Sequence, residues 1–234
     1  ANAFWILCVL AVPYGLGAGG VDAALNNYVA LHYKSRHMSW LHCFWGVGTI
    51  VSPFIMSACL TGTQGWPGGY RIVSYIQFAL VAVLFLSLPL WKKRPGAELS
   101  AKPLTLPQTL RLRGVAFMLI GFFAYSAVEA TAMNWASSYL TEFRGVSAER
   151  AAMFGSLFFI GITAGRLLSG FVSERLGDRT LIRIGIGVIV AGIVLIALPV
   201  RTDVCALAGF VVVGFGCAPV YPSIIHSTPA NFGA

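Results

Sequence analysis

The chain has 234 residues; 57% are apolar, only 10% are charged, and the formal net charge is +8. A water-facing surface needs roughly 25% charged residues. With a mean hydropathy of +0.78, the composition largely excludes soluble enzymes and nucleic-acid binders and predicts an all-α, polytopic transmembrane bundle. The positive balance fits asymmetric membrane loops. Cys8, Cys43, Cys59, Cys205 and Cys217 have neither the spacing of a zinc site nor that of a disulfide framework.

A bilayer core of about 30 Å needs roughly 20 apolar residues of helix. Seven segments are predicted, at about 4–31, 39–61, 70–91, 113–140, 148–171, 181–199 and 203–225. Segment 1 has no basic leader and runs too long for a signal peptide. An ionisable side chain inside a bilayer costs about 2.5–3.5 kcal/mol on insertion scales, so the few that occur in these segments are informative. Asp22 lies about two-thirds along segment 1, and Asn26 at i+4 shares its face with Gly15 and Gly19. Asp22 reads as a substrate or proton site; the alternative is a buried group that pairs with a neighbouring helix. Near the start of segment 2, His42 begins a face continued by Trp45, Gly46, Thr49 and Pro53. It is either a ligand or a hydrogen-bonded structural group.

Residues 72–91 of segment 3 and 184–200 of segment 6 carry no charge, which predicts that these helices face lipid while segments 1, 2, 4 and 5 face a polar interior. Residues 93–112 form a basic, proline-containing linker between a three-helix part, 1–92, and a four-helix part, 113–234. Segment 4 presents Tyr125 and Glu129 on one face, followed by Asn134, Trp135 and Tyr139. Carboxylate, phenol, amide and indole together suit a polyhydroxylated ligand, although Trp135 and Tyr139 also fit an interfacial aromatic belt. Segment 5 carries Arg166 one turn and a half before its cytoplasmic end, and the run Glu174, Arg175, Gly177, Asp178, Arg179 follows it; with Arg166 these are the candidate gating residues. This is an ordinary positive-inside turn, or a set of ion pairs that locks one conformation and releases in another. In segment 7, Pro219 and Pro222 are expected to break the helix and free carbonyls beside a cavity. The glycines of segments 1 and 7 are expected to permit close helix contact.

Lysine and arginine set the orientation. Connectors after segments 1, 3 and 5, with their flanks, hold twelve of them; those after 2, 4 and 6 hold four. The positive-inside rule puts the first set in the cytoplasm. An internal repeat points to a larger parent: GLGAGGVD from Gly15 resembles GFGCAPVY from Gly214, 199 residues or six helices later. A six-helix unit implies about twelve helices in two similar halves, a transporter layout.

The run from Gly170 to Arg179 resembles the signature loop of the major facilitator superfamily, with Glu174 where Asp is usual and Asp178 where a base is usual. Residues 15–26, 41–48 and 216–222 resemble the fucose permease branch, the fucose–galactose–glucose:proton symporter-like proteins. The resemblance spans essentially the whole chain and implies helices 4–10 of twelve, with 1–3 and 11–12 absent. It implies a secondary active transporter of a sugar or related metabolite, working by rocker-type alternating access with proton coupling in a bacterial inner membrane. It places Asp22 at the acid that branch uses in helix 4, and brings Asp22, Glu129 and Tyr221 toward one cavity. The implied partners are a small-molecule substrate, protons and the lipid bilayer, with no nucleic acid, no cofactor and no metal, in a monomeric full-length parent. An exporter of the same fold is the nearest alternative. A seven-helix receptor is opposed by the signature turn and the repeat, and no nucleophile–base or metal-spacing motif supports a membrane enzyme.

Overall fold

The computed structural model describes residues 4–91, 105–147, 151, 154, 157–200 and 203–232. The described residues form α1 (Phe4–His32), α2 (Ser35–Thr61), α3 (Gly65–Ser87) with a 3-10 turn (Leu88–Leu90), short α4 (Leu106–Arg111), α5 (Val115–Glu142), α6 (Leu157–Leu176), α7 (Asp178–Ala197) and α8 (Val204–Phe232). Seven of them are long and apolar enough to cross a membrane. Most of the expected basic linker lies outside the described residues. Its end is seen at Thr105, whose backbone N–H donates to Gln108 Oε1 at 2.9 Å to start α4, with a proline in the first turn.

By contact the chain divides into two compact units, residues 44–116 and residues 1–43 with 117–234. In the smaller unit α3 keeps only Gly68 and Gly69 buried, and a Cβ on Gly69 would meet the Met56 thioether of α2 at 2.8 Å. In the larger unit α8 is central, packed against α6 and α7 and touched by α1. Its core joins Tyr125 of α5, Phe158 and Ile162 of α6, Ile189 of α7 and Val213, Cys217 and Val220 of α8.

Small residues make the α7–α8 seam. A Cβ on Gly185 would stand 2.6 Å from Gly216 O, and one on Gly192 would stand 3.0 Å from Gly209 O. Backbones that close gain dispersion contacts, the main packing force available between helices in lipid. Segment 6 therefore does not face lipid all round: its Leu181–Gly185–Ile189–Gly192 stripe is buried. On α1, a Cβ added at Gly15, Gly17, Gly19 or Gly20 would meet nothing within 4 Å among the described residues, and Asn26 is the buried residue of the helix.

Two helix boundaries also differ from expectation. α8 runs unbroken through Pro219, Pro222 and Pro229. A proline removes one N–H and clashes with one carbonyl, but a membrane helix tolerates this where neighbours cover the freed groups. Pro219 frees Phe215 O, which lies where Gly165 of α6 comes close. α6 in turn continues to Leu176 and stops where Gly177 adopts φ +74, a left-handed conformation that only glycine takes cheaply. Glu174 and Arg175 thus occupy the last turn of α6 rather than a loop.

At the other end of α7, Arg144 supplies what the helix lacks. Its guanidinium donates to Val200 O at 2.7 Å and to Ile196 O and Leu198 O at 3.0 Å each, and Nε donates to Tyr139 OH at 3.3 Å. Tyr139 OH in turn donates to Ile196 O at 2.9 Å. Ile196 O is one of the carbonyls the helix leaves unpaired in its last turn, and Leu198 O and Val200 O follow it past the helix end; leaving such groups uncovered at a membrane boundary is costly. Arg144→Ala should lower stability by about 1–3 kcal/mol, read from denaturant unfolding of the detergent-solubilised protein. Wild-type stability would mean that water caps these carbonyls equally well.

Candidate functional site

The larger unit brings five helices to one polar cluster. On α1, Asn26 Nδ2 donates to Asp22 Oδ2 at 3.1 Å, one turn earlier. At the start of α2, His42 Nε2 lies 3.0 Å from Asn26 Oδ1. With the amide nitrogen committed to Asp22, Asn26 Oδ1 must accept, so His42 Nε2 carries the hydrogen that it donates. Asn26 and His42 are buried while Asp22 is exposed. The three side chains therefore form a chain of hydrogen bonds from an open carboxylate to a covered imidazole.

A second set meets the first through His42. Arg166 of α6 donates to His42 O at 3.3 Å and to Glu129 Oε1 of α5 at 3.4 Å. Their side chains are only 4% and 16% exposed, so this is a buried ion pair. Charge-assisted N–H···O bonds usually run about 2.7–2.9 Å; these are longer, and the guanidinium is shared between two helices rather than locked on one acceptor. Tyr221 of α8 sets its ring edge-to-face against the His42 imidazole, with centroids 4.7 Å apart. Tyr125, one turn before Glu129, donates to Cys217 O at 3.2 Å and is thereby tied to α8. Two carboxylates, one guanidinium, an imidazole and two phenols thus meet among apolar helices, the donor and acceptor set that a hydroxyl-rich solute requires.

Asp22, Asn26, His42, Tyr125, Glu129 and Tyr221 of the sequence-derived set belong to this cluster or its edge. Asn134 and Trp135 do not. Asn134 Nδ2 donates to Ala130 O of its own helix. Trp135, with Tyr139, lines an apolar cavity of about 480 Å³ bounded by α5, α7 and α8. Arg166, taken from sequence with the turn residues, lies here instead. α6 extends five residues past its expected end, which puts Arg166 ten residues, about 15 Å, from the helix terminus.

The turn residues build a separate cluster at that terminus. Glu174 is 3.3 Å from Lys34 Nζ and 3.0 Å from Arg36 Nε; the second is an ion contact without hydrogen-bond alignment. Asp178 accepts from Ser35 Oγ at 2.6 Å and pairs with His226 Nδ1 of α8 at 2.7 Å. Trp40 packs edge-on against Phe171, and a Cβ on Gly170 would overlap its indole. The acids of the 174–178 run thus clasp the 34–36 turn. Arg175 and Arg179 are exposed and make no ion pair among the described residues. Sequence reasoning missed Lys34, Ser35, Arg36, Trp40 and His226 as partners. The excess of basic residues after segment 1 was the available signal; a separation of some 140 residues hid its use.

A family model described as Major Facilitator Superfamily matches residues 1–234. An uncharacterised major-facilitator-type transporter of Yersinia pestis is 28% identical over 230 residues, covering 96% of this chain and 57% of that protein. A glucose/mannose transporter of Bacillus subtilis is 23% identical over 234 residues, covering 94% and 56%. A hexuronate transporter of Bacillus subtilis is 24% identical over 194 residues, covering 75% and 45%. The chain spans about half the length of the curated relatives it matches. No solved structure matches it significantly.

Proposed function

Since the chain belongs to the major facilitator superfamily of membrane transporters, we propose that its protein carries a small polar solute, a sugar or related metabolite, across a bacterial inner membrane by alternating access coupled to protons. One observation carries this reading: the Asp22–Asn26–His42 chain meets the Glu129–Arg166 pair inside helices otherwise built of apolar residues. Buried ionisable groups in a membrane helix are costly and mark substrate or ion pathways. Among the relatives, a transporter of glucose and mannose supports a sugar as the solute.

In this reading Asp22 takes up the coupling proton. Tyr125, Glu129 and Tyr221 contact the solute, and the two halves, residues 1–92 and 113–234, rock about the site. The excess of carboxylates over guanidinium favours a neutral solute over an anion, because an anion would face Asp22 and Glu129 with one cation to share. Proteoliposomes holding the full-length protein should take up labelled glucose or mannose saturably, faster with an inward proton gradient. Unsaturable uptake of every sugar tested, indifferent to the gradient, would overturn the reading.

The 174–178 clasp acts as the cytoplasmic latch. Each of its ion pairs is at least partly exposed and is worth at most about 1 kcal/mol, too little to hold the fold but enough to bias a conformational equilibrium about fivefold. Glu174→Gln should leave the unfolding midpoint unchanged, raise the labelling of a cysteine placed at the cytoplasmic end of α6, and slow net uptake. Unchanged labelling would remove Glu174 from the latch.

A further inference from the structure

Two cavities of opposite character adjoin at the end of α6. The first, about 180 Å³, is lined by Arg36, Trp40, Gly170, Phe171, Glu174 and Arg175. It holds two guanidinium groups against one carboxylate, and that carboxylate is already shared with Lys34. Arg175 has no acidic partner among the described residues, and the Trp40 indole N–H, buried on the wall, has no acceptor there. The second cavity, about 380 Å³, is an almost wholly apolar groove between α6 and α7, floored by α8. Phe171 forms part of both walls. Along α7 the groove follows Leu181 to Val188, about 10 Å at 1.5 Å per residue. Its rim residues Leu168, Val172 and Ile184 are half exposed among the described residues.

We propose that this pair of cavities is a binding site for an anionic phospholipid, whose phosphate is held by Arg175 and the outer edge of Arg36 and whose acyl chain lies in the α6–α7 groove. Charge complementarity selects the occupant. A cationic recess set beside an apolar channel at the positive end of membrane helices matches a lipid with a negative headgroup, whereas a soluble anion would leave the groove uncovered. Trp40 and Phe171 sit at the junction, where aromatic rings favour the interfacial depth of the bilayer. Because Arg36 also holds Glu174, a lipid bound here touches the latch without entering the solute site. The proposal is independent of which solute is carried.

The test uses the full-length protein purified in mild detergent and exposed to equal amounts of phosphatidylglycerol and phosphatidylcholine with the same acyl chains. Retained lipid is counted by native mass spectrometry. Phosphatidylglycerol should be kept about thirtyfold over phosphatidylcholine, the scale that two interfacial cations provide. Arg175→Gln, an exposed change, should cut that preference at least about threefold. Ile184→Trp, at a half-exposed position on the groove rim, should reduce retention of both lipids and leave the ratio of headgroups alone. Equal retention of the two lipids, or an unchanged preference in Arg175→Gln, overturns the site. So does inorganic phosphate that displaces phosphatidylglycerol at equal concentration with Ile184→Trp having no effect, since the occupant would then be a free anion. If Ile184→Trp alters protomer association and not lipid retention, the groove belongs to a second copy of the chain and the proposal also fails.

Discussion

Arg166→Leu in the full-length protein should cost about 3–5 kcal/mol of stability, the penalty for stranding a buried charge. Arg166 is 4% exposed and Glu129 16%, so little water is available to Glu129 once its cation is gone. The double change Glu129→Leu with Arg166→Leu should recover most of that loss, because an apolar pair of similar volume does about as well as a buried ion pair. A double-mutant cycle on denaturant unfolding isolates the coupling between them. The pair is not needed for folding, on this account, but for the site: the folded double mutant should be inactive in uptake. Wild-type stability in Arg166→Leu would mean that the guanidinium is solvated and the pair incidental. Wild-type uptake in the double mutant would reduce both residues to packing.

Hydropathy alone locates seven helices, because a bilayer demands long apolar runs and the chain has little else. It fails where geometry, not polarity, ends a helix. The end of α6 depends on a single backbone torsion at Gly177. α8 persists through three prolines, and the carbonyl freed by Pro219, Phe215 O, lies against Gly165 of α6, a relation no local pattern carries. Charge scarcity singles out Asp22, Glu129, His42 and Arg166, since each departs from an apolar background. Their partners stay hidden. Arg166 meets His42 across 124 residues and Glu129 across 37, and five residues of misplaced helix end were enough to assign it to the turn. The glycine repeat shows the same limit from the other side. Gly214 and Gly216 are tightly packed against α6 and α7, while a Cβ at Gly15, Gly17 or Gly19 would meet none of the described residues within 4 Å, so similar strings have dissimilar surroundings.

Asp22→Asn should separate proton coupling from solute binding. Asn26 reaches Asp22 through an amide N–H at 3.1 Å, and an asparagine at 22 still offers an oxygen there, so the bond to Asn26 and its onward link to His42 can persist. Only the ability to gain and lose a proton is removed. If Asp22 carries the coupling proton, uptake driven by a pH gradient should fall about tenfold or more, the size of a lost coupling free energy. Exchange between equal pools of solute, which needs no net proton movement, should stay near wild type. If Asp22 grips the solute instead, both activities fall together. If it is only a structural group, both survive with their pH dependence intact, and that outcome would sink either functional role. Asn26→Leu supplies the complementary cut, because it removes both hydrogen bonds and detaches His42 from the carboxylate while leaving Asp22 free to titrate. A relay in which His42 participates predicts that Asn26→Leu loses gradient-driven uptake as Asp22→Asn does. A proton site confined to Asp22 predicts that Asn26→Leu keeps it.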